Sequence, residues 1–546
     1  LTYATTIEKE ASEVRAPFSR TLFDLLCEQT ERRPNALAIV SRGAEFTYGE
    51  VLARVRRIAG ALSKHGVMRG HHVGAVLGNR IEWIDLAFGC SAVGAAFVPL
   101  STWSTRAELQ FLVADAGVQL LFAYAKYGDR DFGDDLAALA PEVAPGRPSA
   151  LFPKLREIIL VDAGEAAPFM RYEDFASASE PLADLPPGEA ASPIDDALIL
   201  YTSGSSAHPK AVRLAHFGMI ENGFNIGERM GLSGDDRVML SAPLFWSYGS
   251  ANAMCATLSH GAALVLQERF EPAGAIALIE SFACTAIYTL PGMTKAIATH
   301  SSFGASRLAT LRTGLTIGAP SEFLYAVKAF GADRLCNIYG ATETYGNCCV
   351  TSAAWPIEKR AQSQGEPLPG NQLRFVDPET SAPVAPGQPG LVEVRGYITP
   401  GYCGASANQN AKIFTADGFY RTGDIGRLDE IGAFVFVARN TEMIKRAGIN
   451  VSPAEVENIL LAHPLVAQAA VVGAADADRG EAIVAFVVPS SPSLKAEDLV
   501  AHCRSVASKY KVPDRIILQE ALPLTATGKL QRRALKETAQ SLLQLG

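Results

Sequence analysis

Five polar segments hold the groups with which this chain could do chemistry. Tyr201-Thr-Ser-Gly-Ser-Ser-Ala-His-Pro-Lys210 follows the apolar run Ala197–Leu200. Hydroxyls, a glycine and a lysine just past a strand suit a phosphate cradle, because backbone N–H groups and hydroxyls donate to oxyanions and the lysine adds charge. The candidates there are Thr202, Ser203, Ser205 and Lys210. The segment does not match the Walker A pattern, and a polar surface loop would have the same composition. In Tyr339-Gly-Ala-Thr-Glu-Thr344, Tyr339 beside Gly340 could stack on a purine. Glu343, next to Thr342, could hold Mg²⁺ against a phosphate; a solvated turn with a structural tyrosine is the other reading. In Tyr420-Arg-Thr-Gly-Asp424 the carboxylate of Asp424 could accept hydrogen bonds from ribose hydroxyls, or simply close a turn. Met443–Glu457 contains Lys445, Gly448 and Asn450, and Leu522–Arg533 contains Lys529 beside a glycine. A solvated charged face accounts for both stretches equally well.

The elements that must position these groups alternate. His72–Leu77 and Ala96–Leu100 are expected as strands, with Trp83–Val93 as a helix between them, and the pattern resumes at Leu198–Leu200, Val238–Leu240 and Ala263–Leu266. Such alternation predicts an α/β architecture with largely parallel sheets. Ala163–Pro193, rich in Pro, Ala and Gly, is expected as a surface excursion. After Phe436 the texture changes. Ser452-Pro453-Ala454-Glu455 reads as a helix start, since serine caps, proline suits the first turn and acids favour the N-terminal dipole. Strands at Leu465–Val472 and Ala482–Val488 and a helix at Ala496–Ser508 follow. The expected organisation is a large N-terminal domain of mixed sheets and helices over 1–437, a hinge at 438–441, and a small mobile α+β domain over 442–546.

Composition narrows the classes. A chain of 546 residues suggests two to four folded units. With 48% hydrophobic and 19% charged residues, cores can be built and general disorder is excluded. The net charge of −8 argues against a nucleic-acid partner, although a local basic patch could hold a small anion. Nine cysteines without a C-x-x-C pair argue against a disulfide framework or structural zinc and fit a reducing cytoplasm. Glu8, Lys9, Glu10, Glu13 and Arg15 interrupt any leader-like apolar run. Val238–Gln267 lacks charged side chains, but Pro243, Gly249, Asn252, His260 and Gly261 within it favour buried sheet and loop over a membrane span. Oligomerisation is left open.

The order and spacing of the five segments resemble the adenylate-forming superfamily of acyl-CoA synthetases, luciferases and peptide-synthetase adenylation domains. The resemblance extends over nearly the whole chain, including Pro243-Leu-Phe245, Gly318-Ala-Pro320 and Gly473–Val488. It implies activation of a carboxylic acid with ATP to an acyl-adenylate, release of pyrophosphate, and transfer of the acyl group to a thiol, coenzyme A. Carboxylate oxygens repel a triphosphate, so attack needs positive charge and oriented donors around the α-phosphate. By resemblance Lys529 supplies that charge, Glu343 is the Mg²⁺ ligand and Thr342 contacts the α-phosphate. Tyr339, Gly340, Gly318, Ala319 and Pro320 correspond to the adenine slot, Asp424 to the ribose anchor, and Arg439 to an arginine at the domain junction that reaches the nucleotide. The resemblance also implies that the C-terminal domain rotates, withdrawing Lys529 and presenting Lys445, Gly448 and Asn450 to the thiol path. Thr441 stands where the family usually has Asp or Lys at the pivot.

Other departures concern glycine. The family's phosphate loop reads S-G-[ST]-T-G-x-P-K-G; here Ser206 replaces threonine, and Ala207 and Ala211 replace glycines. Ala438 replaces the glycine before Arg439, and Ile317 the first of a pair before Ala319. A Cβ is costly wherever φ is positive or a phosphate approaches closely. Two accounts are open: neutral replacement in a working enzyme, or a weakened or lost adenylation step with adenylate and thiol chemistry retained. Trp246 follows Phe245 where adenylation domains place aspartate and many acyl-CoA synthetases histidine, so an α-amino acid is not expected as substrate. Trp246, Tyr248, Gly249, Tyr345 and Gly346 suggest a roomy apolar acid pocket, or ordinary core packing. The implied activity is formation of the CoA thioester of a bulky apolar acid. The alternatives are a stand-alone adenylation enzyme loading a carrier protein, and a nucleotide-binding sensor, which would not need Lys529 or the thiol-loop residues.

Overall fold

A computed structural model describes residues 21–143, 146–147, 149–165, 167–182, 191–202, 209–446, 449–476, 480–507, 511–524 and 530–544. The chain divides into two compact units, Leu1–Gln372 with Val394–Tyr420, and Leu373–Glu393 with Arg421–Gly546.

The described part of the first unit holds two large sheets. One runs in the order 366–367, 349–350, Arg334–Tyr339, Thr313–Thr316, Ala286–Tyr288, Arg237–Leu240, Ala263–Leu266, Leu37–Ser41, Ala44–Thr47. The six strands from Arg334–Tyr339 to Leu37–Ser41 are mutually parallel. Period-two alternation splits the central strands between two cores. Val238, Leu240, Leu264 and Leu266 enter the main core, while Met239 and Val265 pack with Ile276, Ile279 and Phe323 on the other face. The second sheet runs 402–403, Lys210–Ala215, Asp196–Thr202, Ala96–Pro99, His72–Val76, Leu120–Tyr124, Glu157–Val161, 170–171. The helix Ile81–Ala92 is buried at every position except Glu82, which explains a sequence that is apolar all round. The expected α/β fold is thus present, and Ala263–Leu266 has the bounds read from the sequence. The described part of Ala163–Pro193 is more anchored than expected. It carries the helix Tyr172–Ala176, whose Tyr172 hydroxyl donates to the buried Asp85 Oδ2 at 2.9 Å.

The second unit holds most of a four-stranded sheet, Gln372–Val376, Gly390–Arg395, Tyr420–Leu428 and Phe434–Arg439. It also contains a five-stranded sheet built on the hairpin Val466–Asp476 and Gly480–Pro489. Alternation again decides the packing. Val471, Ile483, Ala485 and Val487 meet Val456, Leu460, Leu499 and Cys503 from two helices, while Ala470, Val472, Val484 and Phe486 meet Leu535 and Ala539 of the helix Arg532–Gln544. Ser452 caps the helix Pro453–Leu461 by accepting from the Glu455 amide. Among the described residues, no helix is long and apolar enough to cross a membrane.

Candidate active site

In parallel sheets the loops after the strands' carboxyl ends carry function. The strand Arg334–Tyr339 ends in such a loop, where a short 3₁₀ turn, Thr342–Thr344, presents Glu343. Glu343 is buried, and its Oε1 accepts a 2.6 Å hydrogen bond from the Tyr402 hydroxyl. Tyr402 lies on an edge strand that pairs with Ala211–Val212, and Lys210 Nζ sits 5.4 Å from the centroid of its ring. A carboxylate, a phenol and an ammonium group are thereby gathered from three distant stretches of chain. Burial, and then the adjacent Glu343 charge, push the Tyr402 phenol well above its usual range, so it remains a protonated donor. Thr202 lies opposite Lys210 in the antiparallel pair formed by their strands. Tyr402 was not among the residues singled out from sequence. A tyrosine on a two-residue strand has no periodicity to mark it.

Thr342 Oγ1 is 3.0 Å from Ser247 Oγ, which joins the Glu343 turn to the loop carrying Trp246. That loop is held by Asn79, also unremarked in the sequence. The buried Asn79 amide donates to Ala242 O at 2.9 Å and Leu240 O at 3.4 Å, and its Oδ1 accepts from the Leu244 amide at 2.7 Å. A π-helical turn, Tyr248–Met254, follows, a local form often found at functional sites. Gly249 permits it, since a Cβ there would stand 2.2 Å from Pro243 O. Tyr248 donates to Thr289 O at 3.1 Å and Leu315 O at 2.9 Å, tying the turn to two strand ends. Trp246 is half-buried and packs edge-on against Trp103 at 5.3 Å. Gly346, at φ +92°, lies beside Asn252 and Ser247.

Tyr345 departs from the expectation of a pocket wall. It is fully buried, its hydroxyl accepts from the Ala215 amide at 3.0 Å, and its ring fills the space beside Gly218, where a Cβ would come within 2.2 Å. No surface of Tyr345 is left to meet a substrate, so it is a packing residue.

A family model described as AMP-binding enzyme matches residues 26–403, and one described as AMP-binding enzyme C-terminal domain matches 455–529. The chain belongs to the AMP-binding enzymes. It is 30% identical over 564 residues to the acyl-CoA ligase SID4 of Ajellomyces capsulatus, covering 98% of this chain and 95% of that one. It is 32% identical over 506 residues to a feruloyl-CoA synthase of Amycolatopsis, covering 91% and 94%. The fold matches that of ATP-bound MatB from Rhodopseudomonas palustris with a TM-score of 0.82, at 24% identity over 96% and 99% of the two chains. This AMP-binding enzyme is accordingly an acid–thiol ligase of the acyl-CoA synthetase type.

In the second unit of this AMP-binding enzyme, Asp424 and Arg439 lie opposite each other on antiparallel strands, with Arg439 Nε 3.0 Å from Asp424 Oδ1. Asp424 is buried and Arg439 exposed. Lys445 and Asn450 face each other in a backbone hairpin. Their side chains, together with Ser203, Ser205, Ala207, Gly448 and Lys529, lie outside the described residues. In the first unit, the Ala319 amide donates to Glu322 Oε2 at 2.8 Å at the start of the helix Pro320–Phe330, just after Gly318. Tyr339 is buried at its strand end, and Gly340 is partly exposed beside it.

The glycine replacements divide once their backbones are known. Ala211 lies within the strand Lys210–Ala215, is fully buried, and donates its amide to Ser406 Oγ at 3.1 Å. Ala438 lies within the strand Phe434–Arg439. Neither has a positive φ, so the expected strain is absent at both. Ile317 has an exposed side chain. For Mg²⁺, the Glu343 carboxylate and the Thr342 hydroxyl are the hard oxygen donors that this cation prefers.

Proposed function

We propose that this enzyme forms the CoA thioester of a bulky, largely apolar carboxylic acid through an acyl-adenylate. The observation that carries this is the joining of two clusters: Glu343, Tyr402 and Lys210 on one side, and Thr342, Ser247 and Trp246 on the other, linked through adjacent residues of one turn. The first is suited to a charged phosphate group and the second to an apolar acid beside it. A carboxylate oxygen of the acid attacks the α-phosphorus of ATP, and the bond to pyrophosphate breaks. The CoA thiolate then attacks the acyl carbon, and AMP leaves.

Lys210 and Lys529 offset the negative charge that gathers during the first attack, and Thr342 orients the α-phosphate. Glu343 and Thr342 would hold Mg²⁺, which when bound screens phosphate charge. Tyr402 fixes the orientation of the Glu343 carboxylate. Asp424 holds the ribose, Arg439 reaches the nucleotide, and Tyr339 with Gly318–Pro320 forms the adenine slot. Residues 438–441 act as a pivot for 442–546, bringing Lys445, Gly448 and Asn450 to the thiol in the second step. Any weakening of the ATP step is assigned to Ala207, since Ala211 and Ala438 adopt backbone conformations open to any residue. The CoA ligase names of the relatives support CoA over a carrier protein as acceptor.

The test supplies ATP, CoA and a panel of acids, and separately preformed acyl-adenylates with CoA or with a phosphopantetheinylated carrier protein. Thioester is followed by mass spectrometry. Thioester on CoA from bulky apolar acids is expected; none from any acid or adenylate would refute the reading.

A further inference from the structure

Trp246, the proposed wall of the acid pocket, packs against a side chain from a part of the chain without a recognised motif. Trp103 sits in the short loop between the strand Ala96–Pro99 and the helix Arg106–Ala116. Its ring lies 5.3 Å from Phe245 at 85° and 5.3 Å from Trp246 at 75°, and those two lie 6.3 Å apart at 84°. These are touching edge-to-face contacts, with no room for a ligand between the rings. The trio is a solid wall, not a cage.

The members of that wall are unequally covered. Phe245 is 4% exposed, whereas Trp103 is 43% exposed. The loop is not a loose tip. Its neighbours Thr102 and Ser104 are buried, the Trp103 amide donates to Ser101 Oγ at 3.1 Å, and Arg130 donates to Ser104 O. The fold therefore holds a large apolar ring partly in water, in contact with the residue expected to meet the acid. Two links, Trp246 to Ser247 in the chain and Ser247 Oγ to Thr342 Oγ1, connect it to the Glu343 turn.

We propose that Trp103 is a specificity-determining residue that forms the outer wall of the acid site. It selects acids whose apolar body extends beyond Trp246 and covers the exposed part of the indole. This rests on the reading that Trp246 lines the acid pocket. A short acid would end before reaching Trp103 and would gain nothing from it.

The experiment compares the wild type with Trp103→Ala, Trp103→Phe and Trp246→Ala, using a bulky polycyclic or aryl acid and a short acid such as propionate. Steady-state constants are measured for each acid and for ATP. Trp103→Ala should lower kcat/KM for the bulky acid by roughly tenfold or more. The short acid and the KM for ATP should be unaffected, and Trp103→Phe should retain most of the selectivity. If Trp246→Ala changes the acid preference and neither Trp103 variant does, the proposal fails while the pocket stands. If no variant changes it, the pocket reading itself fails. An equal loss with both acids and with ATP, in Trp103→Phe as well as Trp103→Ala, would make Trp103 a structural residue and overturn the proposal.

Discussion

Removing one oxygen atom from Tyr402 tests whether Glu343 must be held to act. Tyr402→Phe keeps the ring beneath Lys210, 5.4 Å away, and deletes the hydroxyl that reaches Glu343 Oε1 at 2.6 Å and also hydrogen-bonds Tyr420. A hydrogen bond to a charged acceptor is worth about 1.5–3 kcal/mol. Glu343 is buried, so water does not freely replace the lost donor. At about 1.4 kcal/mol per tenfold, the step that depends on the carboxylate should slow by roughly ten- to a hundredfold. The effect should fall on adenylation, read as acid-dependent ATP–pyrophosphate exchange over a range of Mg²⁺ concentrations. Transfer from a preformed acyl-adenylate to CoA should change by less than about threefold, because the β- and γ-phosphates have already left. Glu343→Gln is the matching control and should act on the same half-reaction. Unchanged exchange in Tyr402→Phe, or equal loss in both half-reactions with an unaltered melting temperature, would refute the assignment.

Three other outcomes are expected. Ala207→Gly should raise pyrophosphate release several-fold, whereas Ala211→Gly should leave it unchanged, because Ala211 is an unstrained strand residue bonded to Ser406; a gain from Ala211→Gly and none from Ala207→Gly would reverse the assignment. Asn79→Ala strips partners from Leu240 O, Ala242 O and the Leu244 amide, and should destabilise by a few kcal/mol while raising the KM for the acid more than that for ATP; a stability loss with both KM values unchanged would leave Asn79 a purely structural residue. The third concerns pH. Burial lowers His216 from 6.5 to about 4, its Nδ1 accepts from the Leu22 amide, and its Nε2 has no hydrogen-bond partner among the described residues. The unfolded chain therefore binds the proton more readily, so the contribution of neutral His216 is fully present above pH 6.5 and is lost as pH falls towards 4. Asp195 acts in the opposite sense and limits the effect. His216→Asn should melt with a shallower pH dependence than the wild type between pH 7 and 5, and parallel melting curves would contradict this.

The parts that were legible in the sequence are those governed by neighbours along the chain. Strands such as Ala263–Leu266, and the Ser452–Pro453 helix start, follow from alternation and capping, which act over a few residues. The motif order carried the family, because each motif is a contiguous stretch of chain. Tyr402, Asn79 and Trp103 had no such local signature. Tyr402 meets Glu343 only because its strand takes the edge position beside Ala211–Val212, a choice of register made 59 residues away from Glu343 in the chain.

The same distinction separates side chains whose type is informative from those whose direction matters. Residue type made Tyr345 a plausible pocket aromatic; its φ of +55° and the space left by Gly218 turned the ring into the core instead. Residue type made Ala211 a strained replacement; the antiparallel pairing of Lys210–Ala215 with Asp196–Thr202 gave it an extended backbone that tolerates a methyl group. By itself the sequence determined which chemical groups are present, their order, and the local elements that bear them. Only tertiary structure decided which groups meet, because hydrogen bonds and ring contacts depend on positions set to within about an ångström by sheet register and packing across the whole unit.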